Sequence, residues 1–200
     1  MAALFTIGHS TRSAAELIAL LRASGVETLV DVRRYPVSRR YPHFRKDKLA
    51  EALCAAGIAY AHEPDLGGHR EPSAESPNTA LRQAAFRGYA DHMATAAFAA
   101  AVGRLESRAD GGRVAFMCAE AMPSSCHRGL LSDALVARGR TVWHILGPGQ
   151  VQEHVLSAGL RPLPEGGIVY PHAGPQRRLF SRMPAKPVRR PSPPAGRRPR

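Results

Sequence analysis

Five short apolar runs alternate with helix-forming stretches along the first three-quarters of this chain, and that alternation restricts its fold more than any other feature. Leu4–Ile7, Thr28–Arg33, Ile58–His62, Val114–Met117 and Thr141–Ile145 have the length and composition of strands. Strands separated by helical segments read as β-α-β units of a parallel sheet. The first helix opens on a capping box, Ser13 with Glu16 three residues on, buries Leu17, Leu20 and Leu21, and ends at Gly25. The opening unit is therefore β-α-β, with a right-handed crossover to a parallel neighbour.

A second helix, capped by Asp47, turns Leu49 and Leu53 inward and stops at Gly57. One long Ala-rich helix is expected over residues 89–107. Another follows Cys126, with Gly139 just past its end, and a short one near residues 150–158 packs at the sheet's edge. The expected class is α/β: a single open, mostly parallel sheet with helices on both faces, over residues 3–160. An edge or linker segment over 161–176 and a disordered basic tail over 177–200 complete the chain.

The formal net charge of +12 is unevenly placed. Residues 1–160 hold 18 Lys and Arg against 15 Asp and Glu, a net +3, whereas residues 161–200 hold 10 against 1, a net +9. From Arg177 onward no acid occurs and Arg and Pro dominate. Such a composition buries too little apolar area to offset ordering entropy, so the tail is expected to be disordered. It reads either as a solubilising extension or as an electrostatic tether to nucleic acid. Three cysteines and no long apolar segment lead us to expect a soluble, cytoplasmic protein without membrane partners. Protein partners are not indicated.

Polar clusters follow the carboxyl ends of the strands: Gly8-His9-Ser10, Asp31 with Arg33 and Arg34, His62 with Asp65, and Cys118 with Glu120. A parallel sheet gathers them along one edge, where α/β proteins bind ligands. Ordinary solvated loops are the competing explanation. Cys126, His127 and Arg128 enter the next helix within its first turn if Ser125 is the N-cap, and a helix start with an arginine favours anions. Cys126 there is either a thiolate-prone nucleophile or ligand, or a small hydrophobe under the loop. Glu120 is either an acid/base group or the ion-pair partner of Arg128 or Arg33. Cys118 and Cys54 are expected in the core.

The stretch from Arg33 to Lys48 interleaves cations with Tyr35, Tyr41 and Phe44, a pattern suited to phosphates and unpaired bases. Several chemistries fail on spacing. Ser124 and Ser132 stand six residues after the two cysteines, where a cysteine phosphatase or rhodanese loop places Arg. No Walker phosphate loop or dinucleotide fingerprint is present. Cys118-Ala-Glu120 followed by Pro123-x-x-Cys126 echoes the zinc deaminases only faintly, lacking their second Pro-Cys-x-x-Cys cysteine. Zinc on Cys118, Cys126, His127 and a remote His9 matches no standard ligand spacing, so no metal and no cofactor is assigned.

Thr6-Ile7-Gly8-His9-Ser10, Val30-Asp31-Val32-Arg33 with Pro36 and Ser38, Tyr41-Pro42-x-Phe44, Leu66-Gly67-Gly68, and Met117-Cys118-Ala119-Glu120 through Cys126-His127-Arg128 together resemble a bacterial and archaeal family known as domain of unknown function 488. The resemblance spans residues 4–146. It implies a compact cytosolic α/β domain and no settled activity, although some relatives look to be labelled as DNA repair proteins. The tail lies outside the shared pattern.

These observations lead to an expected enzyme acting on a phosphate-bearing nucleotide or nucleic acid at the sheet's carboxyl edge. Glu120, Cys126 and His9 are the catalytic candidates. Ser10, Asp31, Arg33, Arg39, His127 and Arg128 are the substrate- or anion-binding candidates. The alternative is a non-catalytic nucleic-acid-binding or DNA-repair-associated module.

Overall fold

The computed structural model describes residues 3–163 and 166–172; the tail expected over 177–200 lies outside them. Five parallel strands form the body of the sheet: β1 (Leu4–Gly8), β2 (Thr28–Asp31), β3 (Ala59–His62), β4 (Val114–Cys118) and β5 (Val142–Gly147). A sixth, β6 (Gln150–Glu153), is antiparallel to β5, giving the order β3-β2-β4-β1-β5-β6. The α/β class and the mostly parallel sheet are as expected.

The helices α1 (Ala14–Ala23) and α2 (Lys46–Ala55) cover one face of the sheet. Leu17, Leu20 and Leu21 of α1 and Leu49 and Leu53 of α2 pack there with Ile7, Leu29, Ala115 and Met117. The opposite face carries α3 (Ala84–His92), α4 (Ala96–Gly111) and α5 (His127–Ala137), whose Tyr89, Phe98, Leu105 and Leu131 meet Val30, Val114, Phe116 and Cys118. Along β4 successive residues alternate between the two cores, the period of two that a doubly covered strand requires.

Four sequence expectations are corrected. First, β2 is not the neighbour of β1, because β4 lies between them in parallel register with both. Second, the Ala-rich helix is two helices. The Thr95 hydroxyl accepts from the Phe98 amide at 3.2 Å and caps α4, and Gly88 of α3 packs on the Arg70 backbone so closely that a Cβ would collide with the Arg70 carbonyl.

Third, residues 150–153 extend the sheet as an exposed edge strand, because Gly149 takes φ 67 and reverses the chain after β5. Fourth, Cys54 is exposed: Leu49 and Leu53 take the inner face of α2, and the next residue turns outward. The capping box of α1 forms as expected, with the Glu16 amide donating to Ser13 and the Ser13 amide to Glu16.

The segment after residue 160 contributes to the domain. Arg161–Pro162 (β7) and Ile168–Val169 (β8) pair as a small antiparallel ribbon, and Tyr170 is 2% exposed in the core. Among the described residues no helix is long and apolar enough to cross a membrane.

Candidate active site

The insertion of β4 between β1 and β2 brings their carboxyl ends side by side. Gly8 pairs with Cys118, and Asp31 pairs with Met117. The ladder continues into the loops, where the His9 amide donates to the Cys118 carbonyl (3.0 Å) and the Ser10 amide to the Ala119 carbonyl (2.7 Å). Glycine is required at position 8, because a Cβ would overlap the Glu120 carbonyl. A cleft of about 670 Å³ opens above this junction, within the roughly 300–1,000 Å³ usual for ligand sites.

Its floor holds Cys118, Cys126 and His127. Cys126, rather than Ser125, is the N-cap of α5, and the Arg128 amide donates to its sulfur at 3.5 Å. The Nδ1 of His127 lies 3.6 Å from each of the two sulfurs, and its Nε2 lies 3.3 Å from the Val32 carbonyl. The close approach of the protonated Cys118 sulfur favours the thiolate at Cys126, while that neighbour and burial push Cys118 up. Cys118 is buried as expected but belongs to the floor of the cleft as well as to the core.

Glu120 is exposed on the cleft wall, with its Oε2 accepting from the Cys118 thiol at 3.1 Å. Neither expected ion pair involves its carboxylate. Arg128 instead reaches the Glu120 backbone carbonyl at 2.9 Å, and Arg33 is committed elsewhere.

The remaining expected residues divide sharply. His9, Ser10 and Arg33 line the cleft; Asp31, Arg39 and Arg128 do not. Asp31 is fully buried and clamps Arg33 through both carboxylate oxygens, at 2.9 and 2.6 Å, while also accepting from Tyr60. Arg33 presents NH1 to His9 Nε2 at 3.4 Å. Burial and Arg33 together hold His9 down to about 4, so it is a neutral ring, with Nδ1 donating to the Ser10 carbonyl. Both its nitrogens are engaged, and it stacks on Phe44 at 4.2 Å.

Arg128 is 1% exposed, with its guanidinium held by Thr6, Glu120 and Ala121 oxygens. It braces the loop rather than facing the cleft. Arg39 points to solvent, and Arg40 takes the place expected of it.

The mouth of the cleft carries Arg34, Tyr35, Arg40, Tyr41 and His69. Arg34 lies over the Tyr35 ring and Arg40 over Tyr41, with guanidinium carbons 5.4 and 5.5 Å from the ring centres. Gln83 and Phe86, at the start of α3, close the far wall; nothing in the sequence marks them, since that helix docks from a distant part of the chain. His62 and Asp65 stay outside the cleft, His62 donating to the Arg33 carbonyl and Asp65 pairing with Arg104. A second cavity of about 410 Å³, beside Phe98 and Ile168, has one ionisable lining residue among the described residues, Arg138, already paired with Glu106.

The profile of the family described as domain of unknown function DUF488 matches residues 13–135. The chain belongs to this family. The match takes in α1 through most of α5, and so includes Arg33, Cys118, Glu120, Cys126 and His127 at the cleft. No match to this DUF488 protein was found among the curated proteins or the solved structures.

Proposed function

We propose that this DUF488 protein is an enzyme acting on a phosphate-bearing substrate, a nucleotide or a nucleic-acid end, within the cleft at the carboxyl edge of the sheet. One observation carries the reading: arginine and aromatic side chains crowd the mouth of a cleft whose floor holds two cysteines and a histidine and whose wall carries a carboxylate. The freer Arg34 and Arg40 supply forked donors for phosphate oxygens, and Arg33, held by Asp31 and His9, adds positive charge behind them. Tyr35, Tyr41 and Phe86 offer ring faces for a base. Glu120 is the one carboxylate among the described lining residues and moves the proton, and the Cys126 thiolate sits beside the reacting atoms.

Incubating the full-length protein with a panel of nucleotides and short oligonucleotides, with products read by mass spectrometry, tests the reading. Turnover of a panel member that falls at least about a hundredfold in E120Q supports it. Equal turnover by E120Q, or no binding of any panel member, overturns it. Salt-sensitive binding without turnover that survives E120Q identifies a nucleic-acid-binding module instead.

A further inference from the structure

We propose that Cys118, Cys126 and His127 form a binding site for a zinc-class transition-metal ion, with the fourth coordination position open to the cleft. This deepens the reading of the same site given above. The sequence left such a site as a minority reading, because no standard ligand spacing supports it. The folded geometry gives it a new basis. Cys118 ends β4 and Cys126 caps α5, so the donors come from two rigid elements and not from a single loop.

The three donor atoms lie within 4.8 Å of one another. Zinc bonds of about 2.3 Å to sulfur and about 2.0–2.1 Å to nitrogen, at tetrahedral angles, hold sulfur and nitrogen about 3.6 Å apart. Both sulfur-to-Nδ1 distances here are 3.6 Å. Two of the three donor separations thus already have the value that a bound ion would impose.

The surroundings favour the same reading. The Nε2–H of His127 donates to the Val32 carbonyl, which leaves the Nδ1 lone pair directed at the sulfurs. This is the outer hydrogen bond that ligating histidines characteristically make. The Arg128 amide supports the Cys126 sulfur in the same way. Gly68 lies against the ring, where a Cβ would come within 2.9 Å of Nδ1; glycine keeps that nitrogen unobstructed. Two thiolates and an imidazole select zinc-class ions over magnesium or calcium.

Three protein donors with one free position is the arrangement of catalytic rather than structural zinc. A metal held there would make a bound water more acidic, and Glu120, whose Oε2 lies 3.1 Å from the Cys118 sulfur, is the carboxylate beside the site that could hold a proton.

The test uses the metal alone. The full-length protein, stripped by chelator and kept reduced, is titrated with cobalt(II) and its absorption spectrum recorded. One equivalent should bind with intense tetrahedral bands and thiolate-to-cobalt charge transfer. C126S and H127Q should each weaken binding at least about tenfold, with the charge-transfer intensity falling by about half in C126S. C54S should match the unaltered protein. Circular dichroism identifies any variant that fails to fold, and either C126S or H127Q alone decides the matter. Binding without charge-transfer bands, or with unaltered affinity and spectrum in both variants, overturns the site. Because no substrate enters this measurement, its failure is distinguishable from failure of the phosphate reading.

Discussion

His127 and Arg128 are consecutive in sequence, yet they serve two regions of opposite character. His127 joins the cysteines at the floor of an open cleft, and Arg128 turns away into a closed chain of hydrogen bonds behind β1. There Arg128 donates to the Thr6 hydroxyl (3.1 Å), Thr6 meets His144 (2.9 Å), His144 meets His154 (2.9 Å), and His154 reaches Asp133 (2.9 Å). One placement of protons satisfies every contact. His154 Nε2–H donates to Asp133, His144 Nε2–H to His154, and the Thr6 hydroxyl to His144.

Tyr170 and the Ser157 amide also donate to Asp133. In the closed chain each polar group has its partner inside the protein, apart from the Arg128 Nε. In the cleft, by contrast, two sulfurs on the floor share one ring nitrogen and a carboxylate on the wall faces solvent. Equally polar residues at one sheet edge are therefore structural where their donors and acceptors balance, and chemically available where they do not.

The largest effect expected from breaking this division lies in the closed chain. Arg128→Ala removes a fully buried guanidinium, taking a donor from the Thr6 hydroxyl and stranding two loop carbonyls. Leaving a buried acceptor unsatisfied costs about 1–3 kcal/mol per group. For a chain of this size that lowers the melting temperature by roughly 10 °C. Glu120→Gln, at the exposed cleft wall, should stay within about 0.5 kcal/mol of the unaltered protein. Thermal unfolding of the two variants side by side checks the contrast; similar losses in both would erase it.

Acid should act on the two regions together. Burial holds both His9 and His144 down to about 4, with Arg33 adding to the effect on His9 and His154 to that on His144. A histidine in the unfolded chain takes up its proton near pH 6.5. Between pH 6.5 and 4 the unfolded state thus binds more protons than the native state, and stability falls as pH falls. The contribution is complete above pH 6.5 and gone below pH 4. Each ring accounts for on the order of 3 kcal/mol, because a tenfold change in acidity equals about 1.4 kcal/mol.

Burial opposes ionisation of Asp133, but hydrogen bonds from His154, Ser157 and Tyr170 hold it below the usual carboxylate range, so its contribution is lost only in stronger acid. Urea midpoints measured from pH 7.5 to 4 should fall steadily. His144→Gln should flatten the slope, whereas a flat profile in the unaltered protein would contradict the neutral assignment.

Local signals carried much of this architecture into view. The strands, the Ser13–Glu16 box, and Gly25 and Gly139 just past the ends of their helices depend on neighbours a few residues away, and they stand where the sequence puts them. Strand order is different in kind. That β4 enters between β1 and β2 depends on packing across more than 80 residues, and no local pattern encodes it. The same insertion aligns the Cys118 and Asp31 ends, so the location of the cleft was legible from the parallel sheet but its inventory was not.

Arg128 reads as an anion ligand because its helix position suits one; its burial follows from Thr6 and His144 being paired residues of β1 and β5 beneath it. Tyr170 was hidden for a similar reason, since its partners Asn78 and Asp133 lie far away in the chain. The Cys118–Cys126–His127 triad was visible as residues but not as geometry, because its spacing matches no standard ligand pattern.

The smallest effects should separate neighbours at the mouth of the cleft. Arg39 and Arg40 are alike in type and both exposed, but Arg40 lines the cleft over Tyr41 and Arg39 does not. One exposed charge-assisted contact to phosphate is worth about 1.4 kcal/mol, or roughly tenfold in affinity. Arg40→Ala should therefore weaken a bound nucleotide about tenfold, while Arg39→Ala should change it less than about twofold. Neither should move the melting temperature, since neither contributes to the core. Calorimetric titration at two salt concentrations makes the comparison strict: a general electrostatic attraction would weaken equally for both variants, whereas a seated phosphate singles out Arg40.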